Sequence, residues 1–288
     1  MKLILSRKGF DSSFGGCASP IFEDGSFVSL PIPHGFVSPP PPDPPARVNF
    51  SDIGGDRRIG AIVEDLTIRR SSPVKASDPI HLDPDLRMDS LPRKAGWRPL
   101  FGQADVAQRH LDKHGVGPGD IFLFFGWFRE VEQYAGRFRF RPAAPDLHIF
   151  FGWLEVGDVW RLGKDSYSVP DWASMHPHVA ANYGSTNTIY VAAGTDTAYA
   201  AGTFRSVVDQ LVLTAPASNR SFWRLPKWFY VSERGSGLSY HSNPGRWQLD
   251  QNCVYLQSVA RGQEFVLDTH DYPEAVDWAK RLIAENAA

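Results

Sequence analysis

Cysteine is scarce in this sequence, with only Cys17 and Cys253 among 288 residues. Two cysteines cannot build a disulfide framework, and these two lack the close paired spacing of a zinc-binding motif. The chain is long enough to bury a hydrophobic core without covalent cross-links. Cysteine usage therefore favours a reducing compartment.

Long apolar runs and a strong net charge are also lacking. Residues 1–10 contain no apolar stretch of signal-peptide length, and no run approaches the roughly 20 residues that cross a bilayer. We therefore expect a cytoplasmic protein with no membrane partner. The formal net charge of -2 excludes the strongly basic character of a DNA-coating protein, so any contact with nucleic acid must be local.

Aromatic residues, glycine and proline are abundant instead: 19 Phe, 9 Trp and 9 Tyr accompany 25 Gly and 23 Pro. Aromatic residues favour strands, whereas glycine and proline interrupt elements and form loops. The composition predicts an α+β protein with a mixed, largely antiparallel sheet, a few packing helices and long loops. We expect a single domain over residues 1–288, with a proline-rich surface loop at 31–45.

Apolar periodicity predicts the positions of the main elements. Helices are expected at 103–114, ended by Gly115, and after Asp271, which can cap the final helix. Two apolar strands are predicted at 121–125 and 148–156. A Phe-Gly-Trp tripeptide begins at the end of the first, at 125–127, and another lies within the second, at 151–153, and we expect the two strands to be neighbours in the sheet. Further strands are predicted at 3–5, 188–192, 253–259 and 264–267.

The first candidate site is the glycine-rich loop from Ser6 to Gly16, which follows the first predicted strand. It gathers two cations, Arg7 and Lys8, with the carboxylate of Asp11. Backbone N–H groups of such a turn can form a concave anion site, and the cations add charge. A tight turn with a solvated basic pair is the alternative. The residues predicted to contact a substrate here are Ser6, Arg7, Ser12, Ser13, Gly15 and Gly16.

The second candidate is the tripeptide His81-Leu82-Asp83. A His and an Asp two residues apart form the first half of a facial triad that binds iron. A turn in which Asp83 or Asp85 accepts bonds from nearby backbone N–H groups is the alternative. The candidates for the third ligand are His148, His176 and His178.

Two polar segments further along the chain are expected to be structural. Proline extends the backbone between His176 and His178 and does not obviously bring the two rings together. Residues 182–187 could bind sugar or phosphate oxygens through their amides and hydroxyls, and a polar turn is the alternative.

Aromatic side chains supply a third candidate, because bases stack on flat rings while interleaved cations pair with phosphates. The predicted stacking residues are Trp127, Trp153, Trp223 and Trp228. Burial in the core is the alternative for each of them. Arg137, Arg139 and Arg141 alternate with Phe along a predicted strand, so their guanidiniums share one face, where they meet either phosphates or solvent.

A resemblance to a known family is carried by residues 6–33, SRKGFDSSFGGCASPIFEDGSFVSLPIP, and by the segments 81–86, 119–128 and 223–229. They resemble the nucleotide modification associated domain 3 family of bacteria and phages, which is predicted to act with systems that hypermodify bases. The resemblance implies a role with nucleotides or modified DNA and assigns no catalytic residue. The helix, turn and strands of the central part also resemble PUA and ASCH modules, which hold modified or flipped bases.

Together these features predict a protein that binds a nucleotide or a DNA base and, as an enzyme, processes it. The phosphate is expected at the Ser6–Gly16 loop and the base against aromatic side chains. Asp11 is predicted as general base or glycosidic-bond stabiliser, with Lys8 keeping it ionised. Two alternatives stay open: a non-catalytic reader of modified DNA, and an iron-dependent oxygenase built on His81 and Asp83. Apart from that iron, the sequence assigns no cofactor.

Overall fold

The computed structural model describes residues 1–36, 47–55, 57–163, 168–194, 200–231, 237–260 and 262–287. Within these ranges no helix is both long and apolar enough to cross a membrane. Most of the described residues lie in strands and loops, with a few helices, which confirms the α+β class. The α-helices are α1 (Ile59–Thr67), α2 (Asp105–Lys113), α3 (Pro177–Ala180) and α4 (Glu274–Asn286).

The strands are β1 (Lys2–Arg7), β2 (Ser19–Ile21), β3 (Ile32–Pro33), β4 (Ile80–His81), β5 (Leu100–Gln103), β6 (Ile121–Tyr134), β7 (Arg137–Phe140), β8 (Leu147–Trp160), β9 (Thr188–Ala192), β10 (Ala201–Thr203), β11 (Phe222–Pro226), β12 (Trp247–Leu249), β13 (Cys253–Gln257) and β14 (Glu264–Asp268). The main sheet has the order β14-β1-β6-β8-β9-β5, while β2 and β7 pair with β6 and β10 pairs with β8. A second sheet has the order β11-β13-β12, and β3 pairs with β4.

The central pair of the main sheet is β6 and β8, which run antiparallel with a bulge between Phe124 and Phe125. The neighbouring strands predicted around the two Phe-Gly-Trp tripeptides are therefore confirmed. Strands β1 and β2 run parallel to β6, and every other strand pair among the described residues is antiparallel. The predicted mixed, largely antiparallel sheet is thus confirmed.

The main sheet curves until its edge strands β14 and β5 meet. Gln103 Nε2 on β5 donates to Glu264 Oε1 on β14 at 2.6 Å. The same carboxylate oxygen accepts from Lys8 Nζ at 2.7 Å, and Lys8 Nζ lies 4.7 Å from the centre of the Phe101 ring. All three polar side chains are buried. The two ends of the sheet are therefore joined by a buried hydrogen bond, whose acceptor Glu264 also forms an ion pair with Lys8 beside the Phe101 ring.

Both predicted helices are present, although the last begins later than its predicted cap, and α1 and α3 were not predicted from the sequence. Helix α2 occupies the predicted segment, and Gly115 follows it with a φ of +63°. Helix α4 begins at Glu274 with Pro273 at its N-cap, so the cap predicted at Asp271 is wrong. Proline suits the beginning of a helix because its nitrogen carries no hydrogen and its φ is already helical.

The proline-rich segment belongs only in part to the described chain. Residues 37–45 of the predicted loop lie outside the described residues, whereas 31–36 contain β3 and a 3-10 turn beside β4. The single domain over 1–288 and the likeness of the central part to PUA and ASCH modules remain predictions.

Candidate functional site

The loop predicted to bind phosphate is a compact turn after β1. Gly15 and Gly16 have φ of +80° and +73°, a left-handed backbone that glycine adopts most readily. A Cβ on Gly15 would lie 2.4 Å from the ring of Phe10. The turn is therefore packed too closely at this position for any side chain.

Several backbone amides of this loop already have acceptors. Asp11 Oδ1 accepts from Ser13 N at 2.7 Å and from Phe14 N at 2.8 Å. Gly16 N donates to Asp11 O at 2.8 Å. The Asp11 carboxylate therefore caps the turn, and an anion bound here has to be held mainly by side chains.

Two guanidinium groups lie beside the loop. Arg220 Nη2 donates to Ser12 Oγ at 2.8 Å, and its guanidinium carbon lies 4.0 Å from the centre of a Trp127 ring. The half-buried Arg7 donates to Ala260 O from both terminal nitrogens at 3.3 Å. In the part of the chain that the structure describes, neither guanidinium has a carboxylate at ion-pair distance. We call Arg7, Ser12, Trp127 and Arg220 the arginine site.

The electrostatics of the arginine site favour an anion. Burial lowers the pKa of Arg7 from its ordinary value; the Asp11 charge opposes this, and the nearby Arg220 cation adds to it. Two cations that disfavour each other are stabilised by an anion between them. Phosphate suits such a pair because the guanidinium fork can donate two parallel hydrogen bonds to its oxygens.

The remaining residues predicted at the loop are distributed around it. Lys8 is buried, and its ammonium group faces Glu264 rather than Asp11. Ser6 is fully buried and its Oγ has no hydrogen-bond partner in the described structure, whereas Ser13 is exposed. Lys8 therefore does not occupy the place beside Asp11 that the sequence hypothesis gave it.

The four predicted stacking residues do not share one pocket. Trp127 is half-buried at the arginine site, and Trp153 is buried in the main core. Trp223 is fully buried and donates through Nε1 to Arg220 O at 3.1 Å, so it supports the arginine site from the core. Trp228 stacks at 4.0 Å between ring centres on its neighbour Phe229.

The second candidate site is a buried cluster of imidazoles around Asp83. Nε2 of His81 and Nε2 of His178 lie 3.7 and 3.8 Å from Asp83 Oδ2, and Nε2 of His176 lies 3.4 Å from Asp83 Oδ1. Possible ligand atoms of His81, Asp83 and His178 all lie within 4.8 Å of one another. The structure therefore joins the predicted His-Asp pair to one of its three candidate partners, and His148 is not part of this cluster.

Local backbone geometry explains how the two later histidines reach Asp83. Pro177 begins the short helix α3, and this turn directs both flanking rings towards Asp83, which the sequence analysis did not predict. The His178 ring also packs on the bare backbone of β5, where a Cβ on Gly102 would lie 2.3 Å from its Cδ2. A glycine at this position is therefore required for the ring to stand where it does.

The ring and carboxylate atoms that face away from the cluster have partners of their own. His178 Nδ1 lies 2.7 Å from Asn187 Oδ1, and Asn187 Nδ2 donates to His178 O at 2.8 Å. His81 Nδ1 lies 3.1 Å from the Tyr183 hydroxyl. Gly102 N donates to Asp83 Oδ1 at 2.8 Å. Tyr183 and Asn187 come from the segment 182–187, which the sequence indicated only as a polar turn.

His34 extends the cluster, although no motif in the sequence indicated it. Its ring centre lies 5.6 Å from that of His81, because β3 pairs with β4. Burial, followed by the charge of His81, lowers the pKa of His34. Both ring nitrogens of His34, and Nε2 of His176, are buried without a hydrogen-bond partner in the described structure. Such orphaned polar atoms are uncommon in proteins and mark a place where a ligand, water or ion belongs.

Burial and charge set the protonation of the cluster. Burial would raise the pKa of Asp83, but the imidazoles of His176 and His81 hold it well below its usual range. Burial lowers the pKa of His178 to about 3, although the Asp83 charge opposes this. An ionised carboxylate therefore stands beside an imidazole that is neutral at physiological pH.

A cleft of about 1060 Å³ opens beside the cluster, and its wall includes Asp83 and Pro84. Ligand pockets for small molecules have volumes of roughly 300–1,000 Å³, so the cleft has room for a nucleotide. Arg57 and Arg87 also line it, and each is ion-paired with an aspartate at 2.6 Å.

Arg137 and Arg139, of the row of arginines predicted on one strand face, lie on β7, and Arg141 directly follows it. Arg139 and Arg141 pair with Glu132 and Glu130 of β6 at 2.7 and 3.0 Å. Arg137 is exposed. Two of the three guanidiniums are thus neutralised within the sheet, which makes this row less suited to phosphates than the arginine site.

His148, in the core beneath the arginine site, should make stability depend on pH. Burial, with the nearby Arg7 and Arg220 cations, lowers the pKa of His148 to about 3. Trp223 Nε1 donates to His148 Nδ1 at 3.0 Å, which requires that nitrogen to be unprotonated. Unfolded chains bind a proton on histidine near pH 6.5, so folding excludes a proton between that pH and about 3.

Because of this histidine, we expect the free energy of unfolding to fall by about 1.4 kcal/mol per pH unit as the pH is lowered from 6.5 towards 4. His148→Gln should remove that share of the slope, because glutamine does not titrate. Urea unfolding of parent and variant at several pH values measures both slopes. Equal slopes would show that His148 is not buried neutral in the folded protein.

Comparison with known sequences and structures identifies the family. A family model described as nucleotide modification associated domain 3 matches residues 2–268. No curated protein and no solved structure matches the chain. The matched residues include both the arginine site and the buried cluster, and they span most of the 288 residues. The chain therefore belongs to the nucleotide modification associated domain 3 family, as its resemblance predicted.

Proposed function

We propose that the chain binds a nucleotide, or a nucleotide unit of DNA, by its phosphate at the arginine site and acts on it as an enzyme of nucleotide modification. The observation that carries this proposal is the pair of guanidiniums of Arg7 and Arg220, each close enough for its charge to act on the other and neither with a carboxylate at ion-pair distance among the described residues. Arg220 also donates to the Ser12 hydroxyl. Trp127 holds the plane of Arg220 and so limits the entropy cost of binding phosphate. Membership of a family associated with nucleotide modification supports the ligand class.

The experiment compares the parent with a double variant, Arg7→Ala and Arg220→Ala. Anisotropy of labelled single-stranded and double-stranded oligonucleotides is measured at several salt concentrations. We expect affinity to fall at least about tenfold, because charged hydrogen bonds are worth about 1.5–3 kcal/mol each. The log-log salt slope should become shallower by about 0.7–0.9 for each phosphate that the variant no longer neutralises.

The matched control is Arg137→Ala with Arg139→Ala, which removes the same charge from β7. It should bind like the parent, and thermal unfolding should show that both double variants fold. If the parent and the Arg7/Arg220 variant had equal affinity and an equal salt slope, the arginine site would not be the place where nucleotides bind. Calorimetric titration with a nucleoside monophosphate shows whether the protein binds a free nucleotide as well as a polymer.

A non-catalytic reader of modified DNA would use the same arginine site. It would bind modified and plain oligonucleotides with different affinities and return both unchanged. Mass spectrometry of nucleosides digested after incubation with the protein and a small-molecule cell extract separates the two functions. A new nucleoside mass supports the enzyme, whereas selective binding with no mass change supports the reader.

A further inference from the structure

The geometry points to a binding site for one divalent first-row transition-metal ion between His81 Nε2, the Asp83 carboxylate and His178 Nε2. These groups are buried, and their possible ligand atoms lie within 4.8 Å of one another. Two ligands that each lie about 2.1 Å from an ion are about 3.0–3.5 Å apart. The observed separations of 3.7 and 3.8 Å from Asp83 Oδ2 need to contract by about 0.2–0.8 Å, and the two imidazoles, whose ligand atoms lie within 4.8 Å, need to approach each other as well.

The lone pair of His178 Nε2 points towards Asp83. Asn187 Nδ2 donates to His178 O, which fixes the amide and leaves Asn187 Oδ1 to accept a hydrogen from His178 Nδ1. The proton of a neutral His178 ring is therefore on Nδ1, and its bare Nε2 faces an oxygen of Asp83. Two acceptors that face each other in a buried place repel unless a cation lies between them.

The groups around the cluster form the outer shell that a metal site needs. Imidazole ligands usually donate their other N–H to an oxygen, and ligating carboxylates are themselves hydrogen-bonded. His178 has Asn187, His81 has the Tyr183 hydroxyl, and Asp83 Oδ1 accepts from Gly102 N. Each candidate ligand is thus fixed on one side and free on the side that faces the others.

Two more histidines supply independent support. His176 Nε2 is buried without a hydrogen-bond partner in the described structure and lies 3.4 Å from Asp83 Oδ1. His34 has both ring nitrogens buried and unpartnered beside His81. Unpartnered buried nitrogens mark a place where a ligand, water or ion belongs, and His176 Nε2 lies against the same carboxylate.

The donor set indicates the class of ion. Imidazole nitrogens with one carboxylate favour iron(II), manganese, cobalt, nickel or zinc, whereas calcium and magnesium prefer oxygen ligands alone. No thiolate contributes, and burial raises the pKa of the Cys17 thiol to about 12. The adjacent cleft is lined by Asp83, one of the three candidate ligands. This inference is independent of nucleotide binding at the arginine site.

The test uses the full chain purified without a polyhistidine tag, stripped with a chelator and titrated with zinc and with cobalt. We expect one ion per chain and a rise in melting temperature on binding. Asp83→Asn and His178→Ala should weaken binding at least about a hundredfold, and Asn187→Ala about 10–100-fold, because it only orients a ligand. His148→Gln is the matched control, since it changes a buried histidine outside the cluster.

Each outcome decides the matter. Stoichiometric binding in the parent and His148→Gln, with loss in a folded Asp83→Asn variant, supports the site. If the parent binds no metal, the proposed site is overturned, and a charged imidazole must then balance the Asp83 carboxylate. Binding that persists in folded Asp83→Asn and His178→Ala also overturns it, because the ion then lies elsewhere. Circular dichroism establishes folding, and Asn187→Ala provides a milder variant if Asp83→Asn does not fold. Failure here leaves oligonucleotide binding by the arginine site unaffected.

Discussion

Replacing Glu264 by leucine is expected to lower the free energy of unfolding by about 3–5 kcal/mol. The substitution leaves the Lys8 ammonium buried beside Phe101 without its carboxylate. It also removes the acceptor of Gln103, which joins the two edge strands of the main sheet. Burying an unpaired charge costs much more than losing an exposed ion pair.

The double variant with Lys8→Met and Glu264→Leu tests the cause. Apolar side chains of similar size remove both charges together, so the double variant should be more stable than Glu264→Leu alone. Urea unfolding of the parent, both single variants and the double variant gives the coupling energy. A cost for Glu264→Leu below about 1 kcal/mol, the range of exposed pairs, would show that the pair is not buried as the structure has it.

Gly102→Ala is expected to abolish metal binding while changing only one methyl group. The new Cβ would lie 2.3 Å from His178 Cδ2, so the ring must move by about 1 Å or the strand must shift. Functional geometries need to be held within about 0.5 Å, and such a displacement takes Nε2 away from Asp83. Overpacking should also cost about 1–3 kcal/mol of stability.

Gly117→Ala is the control for this change, because a Cβ there would meet nothing within 4 Å. Zinc titration and thermal unfolding are measured for both variants. Gly117→Ala should bind zinc like the parent. If Gly102→Ala bound zinc with the affinity of the parent, His178 would not be a ligand in the position that the structure gives it.

The sequence was sufficient to predict elements that depend on contacts between residues close in the chain or on an unbroken apolar run. Strands β6 and β8 were recognisable from the apolar runs 121–125 and 148–156 and from the Phe-Gly-Trp tripeptides, although β6 continues to Tyr134. Helix α2 was recognisable from its apolar stripe and the glycine that ends it. The closure of the sheet was not predictable, because it depends on contacts of Glu264 with Lys8 and Gln103, which lie far away in the chain.

The same distinction holds for the candidate sites: residues close in the sequence were recognised, whereas residues that the fold brings together were not. His81 and Asp83 were found from their spacing, but three histidines were equally good partners until the fold brought His178 to them. His34 carried no local signal, because it reaches the cluster through the pairing of β3 and β4. Arg220 was missed for the same reason, since its hydrogen bond to Ser12 joins distant parts of the sequence.

Anomalous X-ray diffraction from zinc-loaded crystals of the untagged protein would show whether His81, Asp83 and His178 bind a metal ion. Data recorded just above and just below the zinc absorption edge locate the ion without reference to activity. We expect one strong peak about 2.0–2.2 Å from His81 Nε2, His178 Nε2 and an oxygen of Asp83. Absence of a peak among these three groups in crystals at a zinc concentration that saturates the protein in solution would contradict this expectation.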